Sequence, residues 1–341
     1  MTTRGFTSDN ASGAHPAVLA ALAAAAEGHA PSYGGDRITA ALGERVRELF
    51  GQTASIYPVF NGTGANITAV TALLNRWDAV VAAEHAHLVT DESTAPQLIG
   101  GMAVRTLPAP EGRIAAADLR DLLAGGRDNV HRARPGALSL TQSTELGTVY
   151  SPAQLAELSG LAREGGLGVH VDGARLANAA AHLGSSLAEL TTGVDVVSFG
   201  ATKNGALFGD AVIVLEPALA EPVERLRKAS TQLASKMRFV SAQLLALLTD
   251  DLWRATAQHA NDAATHLATR LEEELGVQPR YPVQANAVFI PVPPAVVATA
   301  VAELPVLAWD TSAATLRAVC SFDTTEEDID ALVTGLDRIL G

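Results

Sequence analysis

The sequence predicts an α/β protein with a mostly parallel, seven-stranded sheet flanked by helices, followed by a smaller α/β unit. Two observations carry this prediction. Short β-branched, apolar runs alternate with helical stretches up to about residue 215, a rhythm typical of βαβ units with right-handed crossovers. A long amphipathic stretch, Phe239 to Leu275, then precedes shorter strands and helices. The predicted strands of the large sheet begin at Ser55, Ala79, Ala103, Ala137, Gly168, Val194 and Gly209.

The length of 341 residues corresponds to roughly two domains. We expect an N-terminal arm over 1–13, a large domain over 14–245 and a small C-terminal domain over 246–341. Hydrophobic residues make up 48% of the chain, which is enough for a sizeable core in each domain.

Charge and cysteine content narrow the class of protein. The formal net charge is −13, which argues against nucleic acid and anionic membranes as partners. Cys320 is the one cysteine, so an internal disulfide framework is excluded and a reducing compartment is favoured. No signal peptide or membrane-spanning run is apparent. We therefore expect a cytoplasmic protein.

The first elements have clear start signals. A helix is predicted from about His15 to Glu27, with Pro16 where proline is tolerated. A second helix, Ile38 to Phe50, has apolar residues at helical spacing. The strand Ser55 to Phe60 then leads into a small-residue turn, Asn61 to Asn66, which opens a helix. Such a turn leaves backbone N–H groups free for a phosphate, although an ordinary tight turn has the same pattern.

The later helices are predicted from similar signals. One helix contains Asp118 to Leu123, and the next begins at Ser151 and Pro152 and runs to about Glu164. In the small domain we expect elements at Ala287 to Pro291, Ala295 to Leu304, Thr315 to Ser321 and Glu326 to Leu340.

Two charged residues follow neighbouring strands of the predicted sheet. Asp172 ends the strand that begins at Gly168, and Lys203 follows the strand that ends at Phe199. Taken singly, each is typical of a turn or a solvated loop. Together they lie where an open α/β sheet presents side chains to a ligand. Pyridoxal phosphate needs such a pair, because a lysine forms the Schiff base and an aspartate keeps the pyridine nitrogen protonated.

At these residues the sequence resembles a known family. Asp172-Gly173-Ala174-Arg175, followed by Ser198-Phe199 and Thr202-Lys203, is similar to the low-specificity L-threonine aldolases, which are fold-type I enzymes that use pyridoxal 5′-phosphate. The resemblance runs from Ser8 to about Ile329 without a long insertion. It implies the fold-type I architecture, with active sites at the interfaces of a homo-oligomer, a dimer or a homotetramer.

The resemblance implies several cofactor contacts. Gly62, Thr63 and Gly64 match a segment that grips the phosphate. His87 matches a histidine that stacks on the pyridine ring, and Glu92 keeps the family's spacing of five residues. Arg238 matches an arginine that reaches the phosphate in the neighbouring subunit.

Other positions match groups that act on the substrate. Arg317 matches an arginine that binds the substrate carboxylate. Arg175 matches an arginine that contacts either the substrate carboxylate or the phenolic oxygen of the cofactor, although it also fits a helix-start arginine paired with an acid. Ser8 matches a serine of an N-terminal segment that reaches the active site. Tyr33 matches a tyrosine near the cofactor, with packing on its own loop as the alternative. The neighbours of Ser8, Asp9 and Asn10, are expected in a frayed terminus or a helix cap.

A second active-site histidine of the family is matched by His131. The alignment there is less direct, because the segment Gln142 to Gly147 is shorter than the family's usual version and lacks its Asn-Thr-His element. A second arginine of the family is also missing, since position 312 is Ser312. Lys236 departs from the usual glycine-rich segment as well.

The resemblance implies an aldolase that cleaves L-threonine, L-allo-threonine and related L-β-hydroxy-α-amino acids to glycine and an aldehyde. Lys203 holds the cofactor, Asp172 keeps its ring protonated, and the base is His87, His131 or a water held by them. No metal is expected. Alternatives are a phenylserine aldolase, a β-eliminating lyase, a transaldolase, an aminotransferase, or a non-enzymatic protein of this fold that has lost its cofactor.

Overall fold

The computed structural model describes residues 4–125, 129–310 and 312–341. A seven-stranded sheet has the spatial order β1-β7-β6-β5-β4-β2-β3. Strands β2 to β6 are parallel to one another, whereas β7 is antiparallel to both of its neighbours. The strands are β1 (Ser55–Val59), β2 (Asp78–Ala83), β3 (Ala103–Leu107), β4 (Arg134–Thr141), β5 (Gly168–Gly173), β6 (Val196–Phe199) and β7 (Asp210–Val214).

Helices flank this sheet and fill the connections between its strands. They are α1 (Pro16–Ala25), α2 (Arg37–Phe50), α3 (Gly62–Leu73), α4 (His87–Thr90), α5 (Ala95–Leu98), α6 (Ala116–Ala124), α7 (Pro152–Glu164), α8 (Leu176–Leu183), α9 (Leu187–Leu190), α10 (Ala220–Ala229) and α11 (Arg238–Leu248). Short 3-10 helices cover Asp9–Ala11, Thr202–Asn204, Pro217–Leu219, Thr249–Asp251 and Pro294–Val296.

The central strands are buried on both faces, which explains their β-branched, apolar sequences. In β5, Val169 and Val171 are fully buried in the main core beneath the helices. His170 points to the other face and is held between Ser139 and Ser198. Burial of this kind is the main source of stability for a parallel sheet.

The register of β4, β5 and β6 determines which side chains meet at the carboxyl edge. Thr141 pairs with Asp172, and Asp172 pairs with Ser198. The ends of three parallel strands therefore lie side by side, and the chain turns from each of them at the same edge of the sheet. This edge is where α/β proteins of this kind bind ligands.

A second, antiparallel sheet has the order β8-β10-β9. It comprises β8 (Ala287–Pro291), β9 (Leu307–Asp310) and β10 (Thr315–Val319), with the helices α12 (Leu252–Leu275), α13 (Val297–Glu303) and α14 (Glu326–Leu340). Phe6 of the N-terminal segment is buried in the core of this unit. Its backbone donates to Pro305 and accepts from Val319, and Arg317 donates to the backbone oxygen of Thr7, so Phe6 and Thr7 are fixed to this unit.

The predicted α/β fold, with its seven-stranded mostly parallel sheet and small second sheet, is confirmed. Two details differ. Strand β9 was not predicted, because its residues are largely half-exposed and follow a proline. The amphipathic stretch Phe239 to Leu275, for which no internal break was predicted, forms two helices, because Asp250 and Asp251 have left-handed backbone angles, φ 50° and 54°, which separate α11 from α12. Within the three described segments, no helix is long and apolar enough to cross a membrane.

Candidate active site

A cavity of about 330 Å³ opens at the carboxyl edge of the large sheet. Six of the predicted site residues line it, and they come from four different connections of the fold. They are Gly62, Thr63, His87, Asp172, Arg175 and Lys203. The topology thus brings together side chains that are up to 141 positions apart, from Gly62 to Lys203.

Lys203 lies in the 3-10 turn that follows β6, and Asp210 at the start of β7 holds this turn. The Asp210 carboxylate accepts from the backbone N–H groups of Ala201 (2.8 Å) and Thr202 (3.0 Å). Burial, with a further contribution from Arg175, lowers the pKa of Lys203. No described residue forms a hydrogen bond or ion pair with its amine, so Lys203 presents a nucleophile that loses its proton more readily than an ordinary lysine.

Asp172, at the end of β5, is buried and fixed on both carboxylate oxygens. Asn66 donates to Oδ2 at 2.8 Å, and the backbone N–H of Ala174 donates to Oδ1 at 3.0 Å. The same Asn66 amide nitrogen donates to Glu92 at 2.7 Å. Asn66 therefore joins two buried carboxylates without adding a charge, which keeps Asp172 in one orientation.

His87 begins α4 and is paired with Glu92. Its Nδ1 lies 3.1 Å from Glu92 Oε1, and the side chain of Glu92 is fully buried, while that of His87 is 39% exposed. The hydrogen bond to Glu92 raises the pKa of His87. Burial raises the pKa of Glu92 in turn. The imidazole is thus held on one nitrogen, and its ring lines the cavity.

Arg175 lies immediately before α8 and pairs with an acid from the N-terminal segment. Its Nε and Nη2 donate to the two carboxylate oxygens of Asp9 at 2.7 and 2.9 Å. Asn286 also donates to Asp9, at 3.0 Å. Arg175 is therefore both the helix-start arginine paired with an acid and a cavity-lining residue. Of the two expected alternatives for Asp9, the helix cap region is correct, because Ser8 caps the 3-10 helix Asp9–Ala11. The frayed terminus is not, because the Asp9 side chain is 1% exposed and fixes this guanidinium.

Arg317 of β10 lies outside the cavity lining but close to Arg175. Burial and the charge of Arg175 lower the pKa of Arg317. Its guanidinium lies over the ring of Trp309 and donates to the backbone oxygen of Thr7 at 3.2 Å. Its Nε is buried with no partner in the described chain. Two neighbouring guanidinium groups, one with an open donor, suit an anionic group such as a carboxylate.

The N-terminus of α3 faces the cavity with Gly62 and Thr63. Asn61 caps the helix, because its side chain accepts from the backbone N–H of Gly64 at 2.8 Å. Gly64 itself does not line the cavity, and a Cβ atom there would lie 2.2 Å from Gln232 Cδ. The N–H groups at the start of α3 can therefore bind an anion through Gly62 and Thr63, whereas the N–H of Gly64 is already used.

Four other predicted site residues, Ser8, Tyr33, His131 and Arg238, do not line this cavity. Ser8 caps the 3-10 helix Asp9–Ala11. Tyr33 is 52% exposed and stacks beside Lys228. His131 is exposed in the loop before β4, where its backbone N–H binds Asn129. Arg238 donates to the backbone oxygen of Gly28 from both terminal nitrogens.

Among the polar residues at this site that sequence reasoning missed, four carry a charge or join charged groups: Asp9, Asn66, Glu145 and Asp210. Asn66 closes the small-residue turn after β1 and could have been suspected from its place in that motif. Glu145 lies in the segment after β4 that departs from the family pattern, and a carboxylate just past a strand end is a usable signal. Asp9 binds Arg175, which is remote in sequence. Asp210 binds the turn that carries Lys203, through Ala201 and Thr202. No short sequence pattern marks either aspartate as part of the site.

Taken together, these residues offer the kinds of partner that pyridoxal phosphate needs. The cavity offers an unpaired lysine amine, an oriented carboxylate at the neighbouring strand end, and a helix N-terminus with free N–H groups. An aldehyde, a pyridine nitrogen and a phosphate need these three kinds of partner. The donor set therefore matches the cofactor that the sequence predicts.

Comparisons with known proteins cover almost the whole chain. A family model described as beta-eliminating lyase matches residues 5–293. A low specificity L-threonine aldolase of Pseudomonas aeruginosa is 39% identical over 346 residues, covering 99% of each chain. Another protein of that name, from a Pseudomonas species, is 40% identical over 288 residues, or 84% of this chain and 83% of its own.

The structure gives a similar result. The solved threonine aldolase of Leishmania major superposes with a TM-score of 0.91 at 28% identity, covering 98% of this chain and 99% of its own. Every residue that lines the cavity falls within the span matched by the family model.

Proposed function

Since the chain belongs to the beta-eliminating lyase family, we propose that it is a carbon–carbon lyase that cleaves L-threonine, L-allo-threonine and related L-β-hydroxy-α-amino acids to glycine and an aldehyde. It is a lyase whose relatives are low-specificity L-threonine aldolases. Enzymes of this family use pyridoxal phosphate. The substrate of this protein is a small amino acid.

One observation carries the proposal: the readily deprotonated, unpaired amine of Lys203 and the fixed carboxylate of Asp172 line one cavity at adjacent strand ends. When bound, pyridoxal phosphate supplies an electron sink for the pair left on Cα when the Cα–Cβ bond breaks. Lys203 would hold the cofactor covalently, Asp172 its pyridine nitrogen, and Gly62 and Thr63 its phosphate. His87 would lie against the ring.

The substrate carboxylate is the natural ligand of the two arginines. Arg175 uses Nε and Nη2 for Asp9, which leaves Nη1 to bind a carboxylate. Arg317 contributes its unpartnered Nε. Fixing the carboxylate at two points orients the Cα–Cβ bond before cleavage, and this orientation accounts for much of the rate of such a reaction.

A proton must also leave the β-hydroxyl group as the Cα–Cβ bond breaks. Two groups of this cavity can accept it, the His87 ring and the Glu145 carboxylate. His131 lies outside the cavity of its own chain, and on this proposal it contributes only to a site in a neighbouring copy.

We also propose that the protein forms a homo-oligomer. Tyr33, His131 and Arg238 match family site residues but do not line the cavity of their own chain. A homo-oligomer, a dimer or a tetramer, would place them at the cavity of another subunit. The buried, unpaired Cys320 is consistent with a reducing compartment, and we propose a cytoplasmic location.

The test is a coupled product assay. Purified protein is loaded with pyridoxal phosphate, mixed with L-threonine or L-allo-threonine, and assayed for glycine and acetaldehyde together. Equal amounts of both products support the proposal. Ammonia with a keto acid would indicate elimination, and a pyridoxamine form would indicate transamination. If the loaded protein releases neither glycine nor acetaldehyde, phenylserine is the next substrate, with benzaldehyde as the expected product. The Lys203→Ala variant is the control for each reaction.

A further inference from the structure

Glu145 lies in the segment after β4 that departs from the family pattern. Only one of its two carboxylate oxygens has a hydrogen-bond partner in the described chain. Oε1 accepts from the backbone N–H of His87 at 2.8 Å and from the Thr141 hydroxyl at 3.0 Å. Oε2 is shielded from solvent, and no described residue donates a hydrogen bond to it. Glu145 nevertheless lines the active-site cavity. A hydroxyl group of a ligand in that cavity is the partner that Oε2 lacks.

Several titratable groups surround the carboxyl group of Glu145, and they lie on different elements of the fold. Asp172 of β5 is a like charge, and Arg175 before α8 is an opposite one. His87 contacts it through the backbone, and Tyr150, also buried, interacts with it more weakly. Burial and the nearby Asp172 raise the pKa of Glu145 to about 7. Both protonation states are therefore populated near neutral pH, which suits a group that takes up and returns a proton.

A purely structural role would not require an acid at this position. The two hydrogen bonds to Oε1 are donated by an N–H and a hydroxyl, and the amide oxygen of a glutamine can accept both. An apolar or amide side chain would also avoid placing a second carboxyl beside Asp172, which costs free energy in a buried site. A carboxylic acid at this position makes sense if the reaction requires a group that can gain and lose a proton.

We propose that Glu145 is a further catalytic residue, which accepts the proton of the substrate β-hydroxyl group. This inference rests on the proposed aldol cleavage. As the proton moves from the hydroxyl oxygen to Glu145, the O–H electron pair becomes the second bond of the aldehyde carbonyl. The Cα–Cβ bond breaks, its electron pair stays on Cα, where bound pyridoxal phosphate would supply the electron sink, and the aldehyde leaves. In the synthetic direction Glu145 returns the same proton.

The first test does not involve the cofactor. Infrared difference spectra of the cofactor-free protein are recorded between pH 5 and 9, where a neutral carboxyl group has its own C=O band. We expect a band that titrates near pH 7 in the wild type and in Glu44→Gln, an exposed control on α2. The band should be absent from Glu145→Gln. A titrating band that persists in Glu145→Gln overturns the assignment, as does a wild type without such a band.

The second test uses the loaded enzyme and L-allo-threonine or L-threonine. Because the acceptor must be ionised, kcat/KM of the wild type should rise with pH through about 7. Glu145→Gln should lower kcat about 100-fold and lose this rise, while its affinity for pyridoxal phosphate stays within threefold. A Glu145→Gln variant that keeps kcat within threefold and keeps the same pH dependence overturns the proposal.

The same experiments also distinguish two other results, a Glu145→Gln variant that does not fold and a wild type without aldolase activity. If Glu145→Gln does not fold, Glu145→Asp replaces it, and a reduced kcat with a shifted rise in the pH profile is then expected; an unchanged profile overturns the proposal. If the wild type binds the cofactor but releases no glycine from any β-hydroxy-α-amino acid, the proposed function fails and the catalytic role fails with it. The infrared titration shows in that case whether Glu145 still ionises near neutral pH.

Discussion

Asp9 and Arg175 are 166 positions apart in the chain and form a two-point ion pair at the edge of the active-site cavity. The two contacts, at 2.7 and 2.9 Å, use one edge of the guanidinium and both carboxylate oxygens. Asn286 supports Asp9 from the small α/β unit. The N-terminal segment thus decides how Arg175 faces the cavity.

Replacing Asp9 by asparagine should weaken substrate binding more than the chemical step. Asparagine keeps one acceptor for Arg175 but loses the charge, so the guanidinium is less firmly held. We expect KM for the amino acid to rise about 10- to 100-fold, with kcat changed less. Removing one partner of a buried pair costs roughly 3–5 kcal/mol, so the free energy of unfolding should fall by about 3 kcal/mol.

Steady-state kinetics and urea denaturation measure these two effects. Asp337→Asn changes an exposed aspartate of α14 and serves as the control. A variant at Asp9 with wild-type KM would show that Arg175 does not depend on this pair for its position.

Lys203 should be the only lysine that borohydride reduction links to the cofactor. The sequence contains three lysines, Lys203, Lys228 and Lys236, and the other two are exposed on helix or loop surfaces. Reduction of the loaded protein followed by peptide mapping should find the pyridoxyl group on Lys203 alone. Lys203→Ala should lose the yellow colour and all measurable turnover, whereas Lys236→Ala keeps the colour. Label on Lys228 or Lys236 would contradict the assignment.

Asn66 should control cofactor affinity through the two carboxylates that it joins. Asn66→Asp replaces the shared N–H donor by a third acid between Glu92 and Asp172, so one of the three must take up a proton. We expect pyridoxal phosphate to bind at least about 10-fold more weakly at pH 7, a loss of roughly 1.4 kcal/mol. Equilibrium dialysis or absorbance titration of the cofactor-free protein measures this affinity.

Gln278→Glu is the matched control for Asn66→Asp. Gln278 also donates its amide to a carboxylate, that of Glu272, but on the exposed surface. The Gln278→Glu variant should therefore bind pyridoxal phosphate with the affinity of the wild type. Equal effects of the two variants would mean that the response to Asn66→Asp reflects net charge rather than the link between Glu92 and Asp172.

His170 should make the protein less stable in mild acid. It is fully buried between Ser139 and Ser198, and burial lowers its pKa to about 4. The unfolded chain binds a proton at this residue near pH 6.5, whereas the folded chain does not until about pH 4. The free energy of unfolding therefore falls as the pH drops through this window, by up to about 3 kcal/mol from this residue.

The measurement compares urea denaturation at pH 7 and pH 4.5. His170→Asn should lose this part of the pH dependence, although it is less stable at pH 7, and His29→Asn, an exposed change, should keep it. The same difference between the two pH values in wild type and His170→Asn would contradict the interpretation.

The architecture could be predicted from sequence because the central strands of the large sheet are short β-branched runs that are buried on both faces. Val169 and Val171 are examples. Strand β9 could not be predicted in this way, because Leu307 is 40% exposed and the strand lies at an edge of the small sheet. The helix break at Asp250 was missed because amphipathic spacing continues on both sides of it.

The site was predictable where a residue ends a strand or opens a helix next to the cavity. Lys203 and Asp172 have this property, and a register that aligns the ends of β5 and β6 places them together. Asp9 could not be found, because its partner Arg175 is remote in sequence and only tertiary packing brings them together. Gly64 resembled its neighbours in sequence, but helix capping by Asn61 uses its N–H.

The fixed N-terminal segment has a consequence for directed evolution of this enzyme. Phe6 is anchored in the core of the small sheet, and Asp9, three positions later, holds Arg175. A library that varies only the other residues of the cavity wall leaves the orientation of Arg175 unchanged, the arginine that we propose to bind the substrate carboxylate. Variation of residues 5–10 together with Asn286 and Arg317 would instead sample new positions for the substrate backbone, while Lys203 and Asp172 stay where the large sheet places them.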